Sequence, residues 1–143
     1  MSRTLALPYA RPMYARDHAL IATPIGPIRI EGDSQMLLRI HLGDEGPLAQ
    51  GETVAVCSAA DQIAAYFAGD LKQFYLPLPH IASPRGRVLR DGLIALGYGE
   101  TASYGELARR LDSGPRAIGQ LCARNPFPIV VPCHRVLGAG GAL

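Results

Sequence analysis

Ser103-Tyr-Gly-Glu-Leu-Ala-Arg-Arg-Leu-Asp-Ser-Gly-Pro-Arg-Ala-Ile-Gly-Gln-Leu-Cys-Ala-Arg124 is the stretch that decides the fold. Ser103 followed three residues later by Glu106 is a capping box, in which each side chain satisfies a free backbone N–H at a helix start. It predicts a helix running through Leu107 to Leu111. Asp112-Ser113-Gly114 is a tight turn. Pro115, tolerated only in the first turn of a helix, starts a second helix that Asn125-Pro126 stops. Two short helices joined by a glycine-containing turn make a helix-turn-helix unit. On the second helix Ala117, Gly119 and Ala123 are small, and Arg116 stands at the start. Such a helix can lie close in a groove of DNA and push one side chain between the bases. Packing against a neighbouring helix explains the small residues equally well, though not the arginine.

Downstream, the apolar run Ile129-Val130-Val131 reads as a buried strand delivering Pro132-Cys133-His134-Arg135-Val136. A cysteine attacks as thiolate, and an adjacent base or cation lowers its pKa toward neutrality. His134 supplies the base and Arg135 the positive charge. The pattern predicts a nucleophilic cysteine ahead of a buried structural one.

Upstream, Leu76-Pro-Leu-Pro79 reads as a linker, which divides the chain into residues 1–79 and 80–143. After it, Ser83-Pro84 is an N-cap followed by a first-turn proline. Val88, Leu89, Leu93 and Leu96 form one apolar stripe ending at Gly97. Before the linker, Ala19 to Thr23, the turn Pro24 to Pro27, and Ile28 to Glu31 read as a hairpin. Met36 to Leu42 is a third strand and Gly43 to Gly51 a polar loop. Ser58-Ala-Ala-Asp61 has N-cap character and is expected to open a helix that Gly69 closes. Residues 1–17 lack periodicity and read as an irregular lead-in. The expected class is α+β, a small sheet-plus-helix domain followed by a mostly helical one.

At 143 residues and 48% hydrophobic content, the chain can bury a core as one domain or two small ones. No run approaches the ~18 apolar residues of a membrane helix, and Met1-Ser2-Arg3-Thr4 does not begin a secretory signal. Three cysteines without disulfide spacing fit a reducing, cytoplasmic compartment. No C-x-x-C pair or His-x3-His spacing points to zinc, and no metal is expected. Net charge is only +2. Beyond residue 79 every cation is an arginine: Arg85, Arg87, Arg90, Arg109, Arg110, Arg116, Arg124 and Arg135. Arginine forks onto phosphate, although a solvated face explains Arg85, Arg87 and Arg90 as well. Cys57 and Cys122 read as small core hydrophobes.

Four motifs at fixed spacing now stand together: Tyr104 within Ser-Tyr-Gly-Glu-Leu-Ala, Arg116-Ala-Ile-Gly, Asn125-Pro-Phe-Pro-Ile-Val-Val and Pro132-Cys-His-Arg-Val. Together they closely resemble the O6-alkylguanine-DNA alkyltransferases over residues 83–143. Residues 18–75 are more loosely similar to the small N-terminal sheet domain of that family. The resemblance implies a ribonuclease H-like N-terminal domain followed by a winged helix-turn-helix domain. It also implies DNA repair without a cofactor. An O6-alkylated guanine is flipped out of double-stranded DNA, and its alkyl group passes irreversibly to the protein's own cysteine.

On that resemblance Cys133 is the acceptor, and His134 takes its proton by way of a water. Tyr104 hydrogen-bonds the extruded base and helps neutralise it at N3. Arg116 fills the vacated space, with Ala117 and Gly119 on the helix that enters the minor groove. Asn125 ties the helix-turn-helix to the cysteine segment, the Val136 carbonyl receives the exocyclic amine of the guanine, and Arg135 counts among the DNA contacts. A monomer acting on damaged duplex, away from membranes, is expected. The chemistry agrees. A carbon on an aryl ether oxygen is a poor electrophile, so displacement needs a soft nucleophile and a proton for the departing base. The O6 atom lies inside the stack, so the base must be extruded at a cost of a few kcal/mol.

The sequence ends at Gly138-Ala-Gly-Gly-Ala-Leu143. The resemblance implies a further Gly/Ser/Tyr loop walling the pocket and a final helix whose glutamate orients the histidine. The 143-residue chain by itself is therefore expected to show weak or no activity. Two other function classes compete. One is a winged-helix DNA- or lesion-binding protein without transfer activity, its cysteine a redox sensor or structural; lesion-only relatives carry another residue in place of the cysteine. The other is a cysteine hydrolase using Cys133 and His134. It ranks last, because a hydrolytic base faces its nucleophile across space and adjacent residues usually diverge.

Overall fold

Ile28 and Ile30, both fully buried, alternate with Arg29 and Glu31, and this two-residue period gives the first sheet its one apolar face. A computed structural model describes residues 15–138, and the chain divides into two compact units, residues 1–79 and 80–143. In the first, β1 (Asp17–Thr23), β2 (Gly26–Gly32) and β3 (Leu37–Leu42) form an antiparallel sheet in that order. The hairpin and the third strand fall where the sequence puts them. Most of the irregular lead-in read for residues 1–17 lies outside the described residues, and Asp17 already belongs to β1.

Helix α1 (Val54–Phe67) packs on the sheet through Ala55, Val56, Ala59 and Ile63. Its N-cap is Thr53 rather than Ser58, so the helix begins well before the expected point. The reason lies far away in sequence. The Asp17 carboxylate accepts from the backbone N–H groups of Glu52 and Thr53 at 2.8 and 2.7 Å and from the Thr53 hydroxyl at 2.9 Å. Ser58 sits inside the helix and accepts from Gln62. Gly69, at φ 83°, ends it as expected. Two expected loops are tied down. Ala49 bridges Leu20 on β1, and the Leu37 N–H donates to the carbonyl of Pro77 in the linker at 3.0 Å.

The second unit is mostly helical: α2 (Pro84–Ile94), β4 (Ala102–Ser103), α3 (Tyr104–Arg110), α4 (Pro115–Ala123), a 3-10 turn (Cys133–Arg135) and β5 (Val136–Leu137). Ser83 caps α2 and accepts from Gly86 N–H, with Pro84 in the first turn. Leu89, Leu93 and Leu96 are buried, but Val88 is 45% exposed and leaves the expected stripe. The two-residue strands β4 and β5 pair in parallel, Ala102 opposite Val136 and Ser103 opposite Leu137. With Phe127, Leu107 and Ile118 they close one core. The architecture is α+β. No described helix is long and apolar enough to cross a membrane.

Candidate active site

The capping box forms as its spacing requires. Ser103 Oγ accepts from Glu106 N–H at 3.0 Å, and the Glu106 carboxylate accepts from Ser103 N–H at 2.8 Å. Helix α3 ends with Asp112 in the left-handed region at φ 52°. There the N–H groups of Asp112 and Ser113 return to the carbonyls of Arg109 and Ala108 at 3.3 and 2.8 Å. These paired returning bonds make a Schellman end. Arg85, on α2, donates to the Leu111 and Asp112 carbonyls, placing a cation on the negative end of α3. Arg87 donates to the Ile81 and Ala82 carbonyls. Neither arginine is merely a solvated charge. The clamped turn delivers Arg116 to the first turn of α4, where it is exposed, with no hydrogen-bond or ion-pair partner among the described residues.

The small residues of α4 have work inside the unit. Ala117 lines a hollow of about 310 Å³ with Gly86 and Leu89 of α2. At Gly119 a Cβ would stand 4.0 Å from the Tyr104 ring.

The segment before the cysteine corrects an expectation. Ile129, Val130 and Val131 are buried, but they form a turn rather than a strand. Ile129 sits at φ 77°, and the Val131 N–H donates back to the Phe127 carbonyl at 2.9 Å. Pro126, Pro128 and Pro132 supply no N–H, so a sheet ladder is denied to alternate positions. Asn125 organises the loop instead. Its Nδ2 donates to the Val131 carbonyl at 3.0 Å and to Cys133 Sγ at 3.4 Å, while its Oδ1 accepts from Phe127 N–H at 2.9 Å. Cys133 then opens the 3-10 turn, half-buried and free.

Around this sulfur the electrostatics differ from the expected pattern. The ionisable group that acts on it most is the Cys122 thiol, in the last turn of α4. Only one negative charge fits such a pair. Competition for one proton lowers the Cys122 thiol; that competition, then burial, raises Cys133, and the Asn125 amide pulls Cys133 back down in part. Tyr104 feels the charge of the same sulfurs. Burial, then the charges of Cys122 and Cys133, raise its hydroxyl pKa and keep it protonated. Burial, then the Arg135 charge, lower His134 below its ordinary range. The His134 side chain shares no hydrogen bond with Cys133 among the described residues.

Arg135 is the second correction. Expected beside the thiol and on DNA, it is only 9% exposed. Its Nη1 donates to the Leu96 carbonyl at 2.7 Å and its guanidinium lies 6.0 Å from the Tyr98 ring centroid. A buried guanidinium needs such partners. Val136 is buried in β5 opposite Ala102. Cys122 is the site residue missed from sequence, where it looked like core filler. Its spacing of three from Gly119 put both on one face of α4. Among the described residues no cluster of three or more His, Cys, Asp or Glu could hold a metal.

Tyr104, Asn125, Cys122 and Cys133 therefore converge at the end of α4, with Arg116 at its start. The family model for the 6-O-methylguanine DNA methyltransferase DNA-binding domain matches residues 86–143. A methylated-DNA–protein-cysteine methyltransferase from Mycobacterium leprae is 38% identical, over 85% of this chain and 78% of the relative. One from Methanosarcina acetivorans is 37% identical, over 88% and 86%. The crystal structure of the Mycobacterium tuberculosis O6-methylguanine methyltransferase superposes with a TM-score of 0.74 at 34% identity, covering 90% of this chain and 82% of that one. A second structure of the M. tuberculosis protein, in complex with DNA, gives 0.73 at the same identity, covering 88% and 81%. A half-buried thiol held beside a helix-turn-helix and relatedness of this extent lead to one conclusion: the chain belongs to the methylated-DNA–protein-cysteine methyltransferases.

Proposed function

We propose that this chain repairs duplex DNA by moving an alkyl group from O6 of guanine irreversibly onto Cys133. The single observation that carries the reading is the Cys133 sulfur, half-buried on a 3-10 turn and held at 3.4 Å by Asn125, in the unit that also carries the helix-turn-helix. In this reading Arg116, without an internal partner, enters the duplex and takes the space of the extruded base. The Cys133 thiolate attacks the alkyl carbon, the carbon–O6 bond breaks, and its electrons pass to the guanine. The raised pKa of Tyr104 suits a donor that shares its proton with the leaving base. His134, neutral at pH 7, accepts the proton of the thiol through solvent. Asn125 holds the cysteine segment, and the Val136 carbonyl takes the exocyclic amine of guanine. The thioether product is stable, so each molecule acts once. A reducing, cytoplasmic compartment suits a function that depends on a free thiol.

The alternative, lesion binding without transfer, is favoured by one observation: the Cys133 thiol is raised in pKa, which opposes thiolate formation. One assay decides. Incubation with an O6-methylguanine duplex, followed long enough for slow transfer to register, gives one methyl per protein, mapped to Cys133, with no turnover if transfer occurs. Cys133→Ala retains lesion binding and accepts nothing. Binding without added mass, or a methyl mapped to another residue, overturns the assignment.

A further inference from the structure

We propose that Cys122 and Cys133 form a reversible intramolecular disulfide on exposure to a hydroperoxide, so that the pair is an oxidation site built into the end of α4. Both thiols are free and half-buried, and each shifts the other's hold on its proton, lowering Cys122 and raising Cys133. Asn125 links the two positions physically. Its backbone N–H donates to the Cys122 carbonyl at 3.2 Å and its side chain to Cys133 Sγ at 3.4 Å. The end of α4 and the cysteine turn are thereby fastened to one residue, Asn125. Cys57 belongs to the other unit, and its thiol donates to the Gln50 carbonyl at 3.8 Å.

The chemistry balances with the hydroperoxide as oxidant. Whichever sulfur carries the single negative charge of the pair attacks the O–O bond, becoming a sulfenic acid and releasing water or an alcohol. The second thiol then displaces hydroxide from the sulfenic sulfur, an S–S bond forms, and a second water leaves. Two thiols lose two electrons and two protons, and the peroxide bond takes them up. A neighbouring thiol resolves the sulfenic acid before a second peroxide drives it to irreversible sulfinic acid. The bond-forming chemistry is independent of the repair reading, whereas its consequence, a reversibly masked alkyl acceptor, rests on it.

The test uses the reduced full chain carrying Cys57→Ser, treated with graded hydrogen peroxide and quenched with a thiol-blocking reagent. Intact mass should fall by two hydrogens with the protein still monomeric. A tryptic digest should join the fragment ending at Arg124 to the fragment ending at Arg135, and dithiothreitol should undo both changes. In Cys122→Ala the same peroxide should add oxygen atoms to Cys133 that dithiothreitol does not remove. Oxygen addition to Cys133 with Cys122 present and no joined fragment, or links only between chains, overturns the proposal. A second arm offers O6-methylguanine duplex to reduced, oxidised and re-reduced protein. Transfer should vanish on oxidation and return on reduction. Undiminished transfer by cross-linked protein overturns the masking role, whereas no transfer even by reduced protein counts against the repair reading and leaves the mass result standing.

Discussion

The Asn125 side-chain amide donates to Cys133 Sγ at 3.4 Å while the same nitrogen holds the Val131 carbonyl at 3.0 Å. One side chain thus shapes the turn and touches its reactive atom. Asn125→Ala strands the Val131 carbonyl and the Phe127 N–H and should cost about 1–3 kcal/mol, read by denaturant titration. It also removes the one donor among the described residues that favours the Cys133 thiolate, so single-turnover transfer should slow by about 10–100-fold. An unchanged rate would show that the contact to sulfur is idle.

Arg135 tests the inward placement of its charge. Arg135→Ala leaves a void and a stranded Leu96 carbonyl, and stability should drop by about 2–4 kcal/mol. The salt dependence of DNA binding should keep its slope. A phosphate contact would instead lower that slope by about one unit.

In the proposed mechanism His134 sets the acid limb. Partial burial and the nearby Arg135 charge hold its pKa below the ordinary 6.5. The transfer rate should therefore persist through the usual histidine range and fall only in more acidic solution. Stability follows the same sign. As pH drops, the unfolded chain takes up its proton first, near the ordinary value, so the folded state loses stability from there down through the lowered folded pKa. His134→Gln should flatten that part of a stability–pH curve measured by denaturant melts.

Gly119 lies under Tyr104. Since a Cβ there meets the ring at ordinary contact distance, Gly119→Ala should stabilise the free protein, by up to about 1 kcal/mol from helix propensity. Gly119→Leu should displace the phenol and slow transfer more than it weakens DNA binding, separated by single-turnover rates and a binding titration.

What could be read from sequence was what a few neighbouring residues decide. The Ser103–Glu106 box, the Pro115 start and the Gly69 stop are local rules, and the structure follows them. The start of α1 is not legible locally because the group that fixes Thr53 is Asp17, 36 residues away. The turn at residues 129–131 reads as a strand in sequence because an apolar run signals burial without signalling its conformation. The flanking prolines were the cue. Arg135 looked like a surface cation because nothing local reveals that Leu96 needs a donor. Cys122 and Cys133 meet only once α4 and the proline turn are folded.

The parallel pairing of β4 with β5 has a mechanical meaning. Ser103, opposite Leu137, directly precedes Tyr104, and Val136 follows the turn that carries Cys133. The phenol and the sulfur therefore hang from one short rung. A shift of either backbone is transmitted to the other through that pairing, which couples the position of the phenol to that of the sulfur.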